Sequence, residues 1–346
     1  MAERTTELGP RKAAVLRAVV EEYVRTGEPV GSETIAERAG LGVSAATIRN
    51  EMAALEELGY LSHPHTSAGR VPTDLGYRFY VDQLPGALRL REAQRRAIAG
   101  FFAETMLDLE DVLRGTTRLL SRLTQYAGLA VPPSIAEEPI IRLELIDMGS
   151  ALMVLVVGQH GRVDKRVFDR PRDLSEGTVA EVERKLAAVR GQTLAGASAL
   201  ALRMAAEAPE GERELLRSVA EALGELQRAA EPHVLVTGVA NLAEDVAHWR
   251  GETVRRLLEA LERESSLLRL LREAGTLGDV SVTIGAEHPA TGEWDASLVA
   301  APFGAGRTPL GTIGVVGPTR MDYLTAMATV RAVARRLSEL ATELGA

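Results

Sequence analysis

An α+β, multidomain chain is what this sequence predicts, and three observations carry the prediction. Within the first 60 residues apolar side chains recur at helical spacing in three short blocks, the last two separated only by the turn LGV. Directly after them the Gly/Pro-rich stretch PHTSAG lies between two strand-like runs, YLSH and RVP. Farther on, β-rich runs form two clusters separated by a long Ala/Leu/Glu/Arg segment at helical spacing. The first two observations describe a helix-turn-helix followed by a wing; the third describes a sheet interrupted in sequence by a helical insertion.

The first helix is predicted from Pro10 to Val24, with Leu16, Val19, Val20 and Tyr23 on one face, and Gly27 and Pro29 stop it. Ser32 is a candidate cap for a short second helix with Ile35, Ala36 and Ala39 inward, ending at Gly40. Ser44 is the candidate cap of the third, whose buried stripe is Ile48, Met52, Leu55 and Leu58 before Gly59 closes it. After the wing, Thr73 is positioned to cap a helix over TDLGYRFYVDQL, and the first domain is expected to span residues 1–85. Residues 88–127 carry Ile98, Phe102, Met106, Leu109, Leu113, Leu120 and Leu123 at threes and fours, a long helix or helical pair.

RLELIDMGSALMVLVVGQHGRVDKRVFD then gives three strands turned by MGS and QHG, an antiparallel meander. DVSVTIG, DASLVAAPF and LGTIGVVG supply three more, and an amphipathic helix follows from about Thr319. Both clusters are expected in one sheet split across residues 86–172 and 276–346, with 173–275 inserted, mostly helical but containing the strand-like HVLVTGV. No repeat or low-complexity tract is present.

Composition narrows the chemistry. The chain has 346 residues and 46% hydrophobic content, enough for more than one core, and no cysteine. Disulfides, thiolate nucleophiles and cysteine-based zinc or iron–sulfur centres are thereby excluded. MAERTTELGPRK has no apolar signal-peptide core, and ALMVLVVG is far too short to span a bilayer, so a cytoplasmic protein without membrane contact is expected. His63 and His65 flank Pro64 without further nearby ligands, which favours a wing tip over a metal pair. No G-x-S-x-G, Walker A or H-E-x-x-H pattern occurs, GAGRTPLG reads as a hairpin turn, and Thr319, Arg320 and Asp322 read as helix-capping residues. No enzyme, cofactor or metal is expected.

The third helix offers different chemistry. Opposite its buried stripe it presents Ala45, Ala46, Arg49 and Asn50, with Thr47 near its start. Small residues let a helix sink into a major groove, where Arg can hold guanine and Asn adenine through paired hydrogen bonds. Ser44, Thr47, the helix N-terminus and wing amides can bind phosphate, with Arg70 supplying a nearby cation. An isolated Arg-Asn pair is by default a solvated surface, and the preceding helices with the wing are what make it a reading head. Charge opposes this: net charge is −8, and residues 1–80 carry nine Arg/Lys against eleven Asp/Glu. Any DNA contact must come from the arrangement of charge, not from bulk excess.

Three segments carry a family resemblance: GEPVGSETIAERAGLGVSAATIRNEMAALEELGYLSHPHTSAGRVPTDLGYRFYVD, DASLVAAPF and GTIGVVGPTRMDY. They resemble the HrcA family of bacterial heat-inducible transcription repressors. The resemblance implies a winged helix-turn-helix DNA-binding domain (1–85), a GAF-like domain in two parts (86–172 and 276–346), and a dimerisation domain inserted at 173–275. It further implies double-stranded operator DNA of the inverted-repeat CIRCE type near chaperone genes, a homodimer, and the GroEL chaperonin as the partner that maintains active repressor until heat diverts it. Carried over by position, the DNA-contacting candidates are Ser44, Ala45, Ala46, Thr47, Arg49 and Asn50 on the helix, with His65, Thr66, Ser67 and Arg70 in the wing. Leu75 is apolar where the family more often has a polar residue. The alternatives are a metabolite-sensing regulator using the GAF-like domain, which requires a roomy pocket with convergent polar groups, and a ligand-processing enzyme, which requires clustered titratable residues as well.

Overall fold

The computed structural model describes residues 8–64, 69–85, 89–103, 109–171, 174–230, 233–244, 255–256, 259, 264–276, 278–289, 291, 295–304 and 309–343. Helix α1 (Pro10–Thr26) starts with proline at its first position, where the missing N–H costs nothing, and buries Val15, Leu16, Val19 and Val20. Tyr23, expected on the same face, is only partly buried. Helix α2 (Ser32–Arg38) is preceded by Gly31 as cap, so Ser32 is its first residue and not its cap. Helix α3 (Ala45–Glu57) follows, capped by Ser44, whose Oγ accepts from the Thr47 N–H at 3.2 Å. Ile48, Met52 and Leu55 lie inside, each contributing about 1.5–3 kcal/mol over its exposed state. Leu58 does not join them: α3 ends at Glu57, and Leu58 is 43% exposed.

Strands β1 (Leu61–Ser62) and β2 (Val71–Pro72) pair antiparallel, Leu61 with Pro72 and Ser62 with Val71. Arg70 extends this wing by exchanging backbone hydrogen bonds of 2.9 Å with Val30, two residues before α2. The approach demands glycine at 69, where a Cβ would stand 2.3 Å from the Val30 carbonyl oxygen. Helix α4 (Asp74–Asp82), capped by Thr73, leaves the wing.

Helices α5 (Glu92–Ala103) and α6 (Leu109–Thr124) lead into β3 (Ala127–Val131). This strand lies in a five-stranded antiparallel sheet of order β7-β3-β10-β9-β8, with β7 Leu235–Thr237, β8 Ser281–Ile284, β9 Ala296–Phe303 and β10 Gly311–Pro318. Alternation sorts its side chains. Val299, Ala301, Phe303, Ile313 and Val315 share one core with α5, α6, the winged helix and the last helix, α12 (Tyr323–Glu343). Ala296, Leu298, Ala300 and Val316 face α11 (Glu264–Gly275) on the other side. The short α10 (Val239–Glu244) follows β7. Asp322, not Thr319, caps α12: its Oδ1 accepts from the Thr325 N–H at 3.0 Å.

The single split sheet expected from sequence is two sheets. Strands β4 (Ile140–Asp147), β5 (Ala151–Gly158) and β6 (Val163–Asp169) form their own antiparallel sheet. It packs on α7 (Glu176–Leu186), α8 (Leu194–Glu207) and α9 (Glu210–Ala229) around a separate core containing Leu152, Val154, Val156, Val182, Leu215 and Val219. The reason is local: Pro132 and Pro133 end the path of β3, and the helices able to cover the meander follow it directly in the chain. The strand-like HVLVTGV goes the other way: β7 joins β3 at the edge of the larger sheet, Leu235 opposite Ala130.

Candidate nucleic-acid interface

Helix α3 stands with its inner stripe against α1 and the wing and its outer face open. Ser44, Ala46, Arg49 and Asn50 are exposed, and Ala45 and Thr47 are partly so. Ser44 and Thr47 hydroxyls lie 3.0 Å apart at the helix start, beside N–H groups that could face a phosphate. Arg49 and Asn50 make no ion pair or side-chain hydrogen bond among the described residues, so their donors remain available to a base edge. The next acidic residue, Glu51, is turned away: its carboxylate pairs with Lys12 of α1 at 3.2 Å.

The wing differs from expectation at Arg70. Its guanidinium is not a free cation, since Nε donates to Glu56 Oε2 at 2.9 Å and the side chain is only 16% exposed. His63 Nε2 lies 3.7 Å from the same oxygen. Arg70 therefore joins the wing to the C-terminal half of α3, and any phosphate would have to compete with Glu56. His65, Thr66 and Ser67 lie outside the described residues. Among those described, no group of three or more His, Cys, Asp or Glu is placed to hold a metal ion, and no helix is long and apolar enough to cross a membrane.

What the sequence did not suggest is how the head is held. The Asp74 carboxylate accepts from the Ala286 N–H at 2.8 Å, and Gly285 (φ 45) must lack a Cβ, which would stand 2.2 Å from Asp74 Oδ2. Arg78 donates to both carboxylate oxygens of Glu287 and, at 2.7 Å, to the Val282 carbonyl. The Tyr77 and Tyr323 rings pack 5.7 Å apart. Burial pushes the phenols of Tyr77 and Tyr323 well up and that of Tyr80 to about 12, so all three stay protonated. Burial likewise raises the Asp74 carboxyl. Helix α4 thus fixes the reading head on β8 and α12 through contacts between residues more than 200 positions apart. No local pattern announces them.

A helix-turn-helix with a wing, its third helix open and carrying free Arg and Asn donors, defines a DNA-binding protein of the winged-helix class. Residues 7–83 match the family model for the HrcA winged helix-turn-helix transcription repressor DNA-binding domain, and residues 110–327 match the model for the HrcA C-terminal domain. The chain belongs to the HrcA family. It is similar to the heat-inducible transcription repressor HrcA of Thermobifida fusca, 45% identical over 96% of this chain and 97% of that one. The corresponding repressor of Parafrankia sp. is 42% identical over 96% and 98%, and that of Streptomyces avermitilis 40% over 97% and 99%. A crystal structure described as that of a hypothetical protein at 2.2 Å superimposes with a TM-score of 0.69 at 29% identity, covering 98% of this chain and 100% of that one.

Proposed function

We propose that this chain represses chaperone operons in the cytoplasm by binding a CIRCE-type inverted repeat as a twofold dimer. The observation that carries the reading is the open face of α3, where Arg49 and Asn50 stand exposed and uncommitted beside small Ala45 and Ala46. DNase footprinting with the purified protein on the chaperone promoters of its own genome tests it; protection of an inverted repeat is expected, and none anywhere contradicts it.

An inverted repeat calls for two heads related by a dyad. We assign the dimerisation module to residues 135–230, which share their own sheet and core, in place of 173–275. The sheet's outer face supports this. On β5 it presents Met153, Leu155 and Val157; Ile146, Val163 and Val167 lie opposite on β4 and β6, and all three are more than a third exposed. In one row Leu155 lies between Glu144 and Lys165. A second copy stacked about a dyad parallel to the strands sets each Glu144, which also pairs with Arg142 of its own strand, over the second copy's equivalent of Lys165, so the face can match itself in charge and in apolar character.

Dependence on the GroEL chaperonin has a physical basis in the topology. β3 pairs with β10 in a register that joins Val131 to Thr312, so the larger sheet closes only after a separately folding unit has been bridged. Such long-range closure is slow and leaves apolar edges exposed meanwhile. On heating, unfolded clients compete for chaperonin, the competent fraction falls, and apparent operator affinity falls with it. The residues carried over from the resemblance, Ser44, Ala45, Ala46, Thr47, Arg49 and Asn50 with His65, Thr66 and Ser67, remain the proposed DNA contacts, and Arg70 is proposed to act mainly by holding the wing.

A further inference from the structure

Five arginines converge on one groove of about 1180 Å³, away from the reading helix. Arg89 lies in the segment leaving the head and Arg95 in the first turn of α5; Arg331, Arg335 and Arg336 lie on α12. Glu92, one turn away on α5, pairs with Arg95, and two carboxylates line the groove itself, Asp279 and Glu339, so five cations less three anions leave a local excess of two positive charges on a chain whose net charge is −8. Both carboxylates are committed, Asp279 to Arg331 at 3.1 Å and Glu339 to Arg336 at 2.7 Å. Arg89 and Arg335 make no ion pair or side-chain hydrogen bond among the described residues. Between the arginines the lining is apolar, with Leu90, Ile98, Ala301 and Pro302.

Surface arginines are ordinarily just solvated. This set is different in that it comes from two segments more than 230 positions apart and borders an apolar-lined concavity. Like charges so gathered repel one another, and an anion in their midst relieves the repulsion. The guanidinium fork matches phosphate oxygens in pairs. A single phosphate would occupy little of the groove, whose size is that of pockets for whole small molecules.

We propose that this groove binds an organic polyphosphate of nucleotide size, its phosphates held by Arg89 and Arg335 and its organic part seated on the apolar lining. The bound ligand ties the segment leaving the head to the final helix. It therefore bears on head orientation without touching α3. The inference does not rest on the repressor reading, because binding is measured without operator.

The test is equilibrium dialysis of the full-length protein against ATP and against inorganic tripolyphosphate, with anisotropy of a random-sequence duplex in parallel. Three proteins are compared: wild type, Arg89→Ala/Arg335→Ala, and the charge-matched control Arg203→Ala/Arg217→Ala, which alters exposed arginines on α8 and α9. One saturable ATP site per chain is expected, with tripolyphosphate weaker. The groove variant should lose about tenfold or more in affinity for both while the control stays close to wild type. A thermal melt checks each variant's folding, and Arg335→Gln alone replaces a double variant that melts early. No saturable ATP binding, or equal binding in all three proteins, overturns the proposal. So does loss of duplex binding in the groove variant without any ATP binding, which would assign the groove to the DNA backbone.

Discussion

Arg70 Nε donates to Glu56 Oε2 at 2.9 Å, and through that pair the wing's return strand is joined to the reading helix. An arginine at this point of a wing reads from sequence as a phosphate cation, whereas here its charge is already answered. Glu56→Gln should free it: affinity for every duplex rises, and the slope of log affinity against log salt steepens by about one unit. Arg70→Ala should weaken all duplexes evenly and lower head stability by about 1–3 kcal/mol, since Glu56 is left half-buried without its donor. Filter binding across salt concentrations and a thermal melt check both. An unchanged slope in Glu56→Gln would contradict the competition.

Two neighbouring tyrosines should respond oppositely to loss of a hydroxyl. The Tyr77 hydroxyl is buried with no hydrogen-bond partner among the described residues, whereas that of Tyr323 donates to the Thr319 carbonyl at 2.6 Å and lies 2.8 Å from Ser297 Oγ. Tyr77→Phe should leave stability unchanged or raise it by about 1 kcal/mol; Tyr323→Phe should cost about 1–3 kcal/mol. Denaturant unfolding of the two variants measures the contrast, and equal losses would mean that the Tyr77 hydroxyl is satisfied after all.

The Asp74 carboxyl gives a pH signature. Burial raises it from 3.8, the Ala286 N–H opposes that rise, and Asp295 and Glu287 add to it. A carboxyl raised in the folded state prefers its proton there, so stability from this group grows as pH falls through the raised value, and the cost of ionisation is fully present above it. Asp74→Asn keeps an acceptor for Ala286 without the charge. Its melting temperature relative to wild type should rise as pH climbs above 3.8 and then level off. A gap independent of pH would contradict the assignment.

Leu155→Arg, in the middle of the outer face of β5, should produce a folded monomer with poor affinity for an inverted repeat and ordinary affinity for a single half-site. Sedimentation equilibrium with circular dichroism separates this outcome from misfolding. A dimer of unchanged stability would locate the interface elsewhere.

What the sequence made legible is what short-range chemistry decides. Proline at the start of α1, the Ser44 and Thr73 caps, and the three- and four-residue spacing of Ile48, Met52 and Leu55 act within one or two turns, so those elements could be read directly. Partners could not. Alternation along β5 tells which face is buried and is silent on whether β10 or α9 buries it, which is why one sheet was expected where two exist. Strand β7 was visible as a strand, but its pairing with β3 spans more than a hundred residues. At the site, Arg49 and Asn50 were legible because exposure on a capped amphipathic helix follows from its period. The Glu56 partner of Arg70, the Asp74–Ala286 contact and the arginine groove all depend on how distant segments meet.

The most direct test of the reading-head assignment is equilibrium binding of wild type, Arg49→Ala and Asn50→Ala to the chaperone-promoter inverted repeat, to single-base variants of it, and to random duplex at fixed salt. Each substitution should cost about 1–3 kcal/mol on the intact repeat, narrow the gap to the variant altered at one position per half-site, and leave random-duplex binding nearly as in wild type. If both variants hold the repeat and discriminate its base variants as wild type does, α3 is not the element that reads DNA.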